Sequence, residues 1–242
     1  MRVVQRGYLA ATLHPWPCFL FLLPLLALYE AGVIWLGGPS PDALRNGADA
    51  WLRWSLQSFG LPSLFCAPFF LILLFLAWST LRWRDRPSDP FGVWMGMAAE
   101  SAFFAIGLWF LSRNLGPVLD QLGMRLSWNV SPRVTGQVIT FVGAGIYEEV
   151  IFRLLLCLAL RGLLMLVATP GWIAWPVVLI VSSLVFAVAH HIGPYGEPFQ
   201  RFVFLFRALA GLYFSLLYQT RGFGIAVGAH AGYDVIVGVL MT

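Results

Sequence analysis

Glu148 and Glu149 stand side by side in an otherwise apolar run, Tyr147-Glu148-Glu149-Val150-Ile151-Phe152-Arg153-Leu154. At about 100° per residue on a helix, Glu149 and Arg153 share a face and can pair. Glu148 points about 100° away from its neighbour and has no partner on its own helix. An ionisable group at membrane depth costs about 3 kcal/mol or more, so it normally faces a bundle interior or a wet cavity. Adjacent carboxylates also repel, so a difference in protonation between the two is expected. Arg153 then holds Glu149 ionised, and Glu148 is left as a general base toward water. The competing reading is structural, with both glutamates binding arginines between helices.

Two further runs carry chemistry. Phe186-Ala187-Val188-Ala189-His190-His191-Ile192-Gly193-Pro194 closes an apolar stretch, and Gly193-Pro194 is expected to stop its helix. His190 shares a face with Phe186 and can hold or shuttle a proton. His191 points elsewhere and reads as a capping or snorkelling group. His230-Ala231-Gly232-Tyr233-Asp234 places His230 and Asp234 four residues apart on one face. Asp234 could orient the imidazole, or the two could be a polar pair between helices. Gly228 and Gly232 leave room for a close helix or a substrate backbone. Glu30, Glu100 and Arg207 are assigned no chemistry; the two glutamates are expected to pair with Arg207 or to sit near head groups.

The elements that must position these groups are membrane helices. Hydrophobic residues make up 60% of 242 positions and charged residues 11%, against about 25% charged in a soluble domain. The fold class is therefore all-α, a polytopic transmembrane bundle, because hydrocarbon requires closed backbone hydrogen bonding. About seven spans are expected: Pro17–Gly37, Ser63–Trp83, Phe91–Leu111, Gly136–Leu160, Trp172–His190, Phe202–Tyr218 and Phe223–Met241. Between the first two, Leu44, Ala48, Leu52, Leu56 and Phe59 recur at helical spacing and predict an amphipathic helix in the interface. Gly116–Arg133 reads as a polar connection with another interfacial helix. Residues 1–135 then form N-terminal helices and interfacial segments, and residues 136–242 the catalytic core of one integrated membrane domain.

All 15 basic residues are Arg, and the net charge is +4. They sit mostly at the ends of apolar runs, as Arg82, Arg84 and Arg86 do, which suits head groups. A nucleic-acid partner would need a basic face or stripe. The counts on alternate loops do not orient the chain; the trio Arg82–Arg86 favours the N-terminus inside. Cys18, Cys66 and Cys157 lie in apolar runs without metal or disulfide spacing and read as small hydrophobes. No cleavable signal peptide is evident.

Glu148-Glu149-xxx-Arg153, Phe186-xxx-His190 and His230-xxx-Asp234 together resemble the EExxxR, FxxxH and HxxxN motifs of the CAAX-processing and bacteriocin-processing (CPBP) intramembrane endopeptidases, which include the type II CAAX prenyl proteases. The resemblance covers roughly residues 141–239. Each motif alone is weak, but their order, spacing and placement on three apolar helices are specific together. The resemblance implies a bundle around a water-accessible cavity. It implies that Glu148 activates water with His190, that His230 and Asp234 hold the oxyanion, and that Glu149 and Arg153 order the site. Asp replaces the family's usual Asn at 234, and a carboxylate cannot donate to an oxyanion unless protonated. Asp234 is therefore expected to orient His230.

The residue chemistry agrees in outline, since one carboxylate and two histidines can supply a base, a proton shuttle and an oxyanion donor. Glu148, His190 and His230 are also a catalytic zinc set. The resemblance and the lack of an HExxH run favour a mechanism without a cofactor, with zinc as the alternative. Two other functions fit the composition: a proton-coupled transporter, whose usual internal repeats are not seen, and a non-catalytic scaffold on a protease-like fold. The expected partners are the lipid bilayer and a membrane-associated protein or peptide substrate. The all-Arg, Trp- and Ala/Gly-rich composition points to a GC-rich bacterial genome and hence to the bacterial inner membrane.

Overall fold

The computed structural model describes residues 7–38, 40–60, 66–121, 137–193 and 196–240. Among these residues the regular structure is helical throughout. The chain opens with α1 (Tyr8–Thr12) and α2 (Pro15–Gly37), followed by a 3-10 turn and α3 (Gly47–Ser58). Next come α4 (Cys66–Leu81) and α5 (Pro90–Gln121). α6 (Gln137–Glu149) runs on through π-helical turns at Val150–Leu156 into α7 (Cys157–Leu166). α8 (Gly171–Ala189), α9 (Arg201–Arg221) and α10 (Phe223–Val235) follow, and α10 ends in π-helical turns at Ile236–Leu240.

The all-α membrane bundle is what the apolar runs predict. Each of the seven runs carries a helix, and α2, α5, α8 and α9 are long and apolar enough to cross a membrane. α4 and the run Phe223–Gly238 are shorter apolar helices. Phe103, Phe110, Leu158, Trp172 and Ile180 stand exposed on the outside, a surface that is stable in lipid and not in water. Cys18 and Cys157 are buried as expected, and Cys66 is half-buried.

α10 is the centre of the bundle and packs on α2, α5, α6 and α9. Small residues permit this. A Cβ on Gly145 of α6 would lie 2.7 Å from the backbone nitrogen of Ala231. A Cβ on Gly232 would lie 3.1 Å from Ala105 of α5, and one on Gly228 would strike Ser101 of the same helix. Gly228 and Gly232 therefore serve close helix approach rather than substrate. α9 meets α10 through a single residue, Gly222, whose φ of 97° is open to glycine and strained for other residues. Arg221 bonds both oxygens of Glu100, at 2.6 and 2.9 Å, and ties this corner to α5.

Three expectations are revised. The connection read from Gly116 onward is helical as far as Gln121, because α5 continues through Pro117; the remainder to Arg133 lies outside the described residues. α3 is amphipathic, with Ala48 and Leu52 buried, but much of its polar side is buried as well. Asp49 accepts from Arg45 at 2.8 Å and from Arg53 at 2.6 Å, and Tyr29 of α2 donates to it at 2.8 Å. Glu30 of α2 accepts from Arg53 at 2.8 Å, Arg45 at 3.3 Å and Tyr147 at 2.8 Å. Glu30 and Glu100 therefore pair with arginines other than Arg207, which binds Glu197 with both contacts at 2.9 Å. The partners lie far apart in sequence, and helical spacing carries no signal of them.

Candidate active site

Glu148 and Glu149 end α6 where the helix widens into π turns, a feature frequent at functional sites. Widening leaves Glu149 and Arg153 on one face, and Arg153 Nη1 lies 3.3 Å from Glu149 Oε1. Both side chains are fully buried. Arg153 Nη2 donates to the carbonyl of Gly211 at 3.1 Å, and its guanidinium lies 4.4 Å from the Phe186 ring centre. One cation thus clamps α6 to α8 and α9.

Glu149 has a second partner that local spacing does not reveal. His230 Nδ1 donates to Glu149 Oε1 at 2.8 Å, across 81 positions of sequence. That bond spends Nδ1 and turns Nε2 toward Glu148. Phe214 of α9 stacks on the imidazole at 4.3 Å between centroids, with planes 13° apart. His230 is thus held by a bond in its plane and a ring against its face, and Asp234 is not the group that fixes its Nδ1.

His190 is the C-cap of α8, and its Nδ1 donates to the carbonyl of Phe186 at 2.8 Å. Phe186 also sets its ring edge-on to His190 at 4.7 Å. The spacing of Phe186 and His190 therefore has a local cause: one residue supplies both acceptor and packing. With Nδ1 occupied, His190 Nε2 faces Glu148.

The three groups converge. Glu148 Oε2 lies 3.6 Å from His190 Nε2 and 3.7 Å from His230 Nε2. It is buried and has no hydrogen-bond partner among the described residues. Both separations exceed a direct hydrogen bond, a gap that a bridging water fills in polar sites. Asp234 Oδ2 lies 3.5 Å from His230 Nε2. All four side chains line one cavity of about 650 Å³ between α6, α8, α9 and α10.

A family model described as Rce1-like, type II CAAX prenyl endopeptidase Rce1-like, matches residues 129–236. This part of the chain is similar to that family. The Rce1-like region holds all three motifs and agrees with the resemblance they carry. Arg45 and α3, which close another side of the cavity, lie outside it. Among curated proteins and solved structures, none matches the chain.

The remaining expected residues fall elsewhere. His191 Nδ1 donates to the Glu197 carbonyl at 2.9 Å, which ties down the turn after α8. Arg207 lines the cavity with Glu197. Among the described residues, no group of three or more His, Cys, Asp or Glu is arranged to hold a metal ion.

Proposed function

We propose that this chain is an intramembrane endopeptidase that hydrolyses a peptide bond in a membrane-associated protein or peptide. The observation that carries the reading is Glu148 Oε2, buried, unpartnered among the described residues, and within 3.7 Å of two histidine Nε2 atoms on the wall of a cavity. Water held between these atoms loses a proton to Glu148, and the hydroxide adds to the substrate carbonyl. His190, with Nδ1–H on the Phe186 carbonyl, offers Nε2 to pass that proton to the leaving amine. His230 carries N–H groups at both nitrogens when protonated: one bonds Glu149, and the other can stabilise the oxyanion. Asp234, a carboxylate beside His230 Nε2, supports that charge instead of donating to the oxyanion. Glu149 and Arg153 fix the framework and touch no reacting atom. Products are a new carboxyl terminus and a new amine.

The Rce1-like match supports peptide hydrolysis as the reaction. The composition supports a bacterial inner membrane as its place. Comparing the membrane proteome of cells with the wild-type chain and with Glu148→Ala tests the reading. One or a few uncut precursors should accumulate in the variant. Identical termini throughout, with a change in proton-coupled flux instead, would overturn it in favour of a transporter.

A further inference from the structure

Glu148 and His190 border two cavities. The large one, of about 650 Å³, is shared with His230 and Asp234. The small one, of about 90 Å³, lies between α3 and the end of α8, away from His230 and Asp234. Ala48 and Trp51 of α3 line one side of it and Ala189 of α8 lines another, together with Phe152. Ala48 and Ala189 are too short to fill the gap. α3 is also held from closing it. Arg45 and Arg53 pin the helix to Glu30 of α2 at 3.3 and 2.8 Å, and the Thr140 hydroxyl of α6 donates to the Leu44 carbonyl at 3.0 Å. Trp51 meets the turn after α8, where a Cβ on Gly193 would lie 3.8 Å from its Nε1.

The small cavity is polar where it matters. Glu197 lines it, and that side chain is 57% exposed. A carboxylate so exposed belongs in water rather than hydrocarbon. Toward the reactive groups, the side chains of Glu148 and His190 remain 13% and 23% exposed, so water can touch both. Size separates the two cavities. Sites for drug-sized ligands take about 300–1,000 Å³, so the large cavity suits a stretch of peptide and the small one does not. A molecule of liquid water takes about 30 Å³ and needs about 2–4 polar partners. The small cavity has room for a few such molecules, with Glu148, His190 and Glu197 as partners.

Each hydrolysis consumes one water. Its hydroxide bonds to the carbonyl carbon, and the proton taken by Glu148 reaches the leaving amine as the C–N bond breaks. A ligand seated in a pocket of the larger size displaces most of the solvent there, so water needs another way in. We infer that the small cavity is a water inlet, which supplies Glu148 and His190 while a peptide occupies the large cavity. It rests on the endopeptidase reading and deepens it by parting the path of water from the path of substrate. The α3 wall of the inlet lies outside the matched residues 129–236.

Hydroxyl radicals generated from water by X-rays mark the side chains that internal water touches. Of the two cavities, Phe152 lines just the small one and Phe206 just the large one. Phe152 is 4% exposed, yet in wild-type protein in lipid nanodiscs it should be labelled. Ala48→Leu plugs the inlet from α3, and Ala189→Leu plugs it from α8 at a half-buried position where a larger side chain is tolerated. A plug that leaves Tm unchanged should cut the label on Phe152 severalfold and leave that on Phe206 intact. With the accumulated precursor as substrate, it should lower kcat about tenfold at constant KM, because it removes water from the bound complex rather than substrate. An unlabelled Phe152 in the wild type, a label that survives both plugs, or a lost label with kcat unchanged would overturn the inlet. A rise in KM matching the fall in kcat would overturn it too, by placing substrate in the small cavity. The labelling needs no substrate, so failure of the endopeptidase reading is seen separately, as a membrane proteome in which no precursor accumulates.

Discussion

His230 and Glu149 are joined through Nδ1 and Oε1 at 2.8 Å, and Glu149 also carries the charge of Arg153. The second glutamate of the pair thus holds the histidine that faces the first. Removing it should harm the fold before it harms the chemistry. Glu149→Ala leaves Arg153 and His230 Nδ1 buried without their carboxylate, a loss of about 3–5 kcal/mol. Glu149→Gln keeps an acceptor for Nδ1 and should lose less. Thermal unfolding in detergent would order the three proteins as wild type, Gln, Ala. Equal Tm values for all three would show that the bond carries little.

Asp234 sits 3.5 Å from His230 Nε2, close enough to support its charge. Asp234→Asn removes a negative charge and adds an amide that can donate to an oxyanion. Cleavage is expected to be unchanged or faster. An inactive Asn variant of normal stability would show that the carboxylate itself is needed.

Gly145 lets α6 and α10 touch, with Ala231 N 2.7 Å from a Cβ placed there. The obstacle is backbone, so it cannot swing aside. Gly145→Val should cost about 1–3 kcal/mol by overpacking. It should also push Glu149 away from His230, so activity falls more than the stability loss explains. A Val variant with wild-type activity and Tm would contradict the packing.

Zinc provides a separate check. The mechanism proposed for Glu148, His190 and His230 uses no metal. Prolonged treatment with a chelator should leave cleavage unchanged. Loss of cleavage that zinc restores would replace the metal-free account.

The site was legible where its parts are local. Glu149 with Arg153, Phe186 with His190, and His230 with Asp234 are each four residues apart, and each pair is adjacent in the structure. The apolar runs revealed the helices for the same reason, since lipid sets their length. What stayed hidden is contact between helices. Glu149 reaches His230 over 81 positions, and Glu30 reaches Arg53 over 23. Helical periodicity has no information at those separations. α3 illustrates the consequence: its pattern shows an apolar face, but only the distant Glu30 and Tyr29 show why its charged face is also buried. The π turns after Glu149 were equally unreadable, because the widening depends on how α6 meets its neighbours.

Everything chemical in this account passes through the Glu148 carboxylate. The most direct measurement takes the precursor identified in membranes and reconstitutes its cleavage with purified protein in liposomes, comparing wild type with Glu148→Gln. The variant preserves size and hydrogen-bonding capacity but not the base. The rate should fall by about 10²–10⁴ while Tm holds. Cleavage within a fewfold of wild type by a folded Glu148→Gln protein would contradict the claim that this carboxylate activates water.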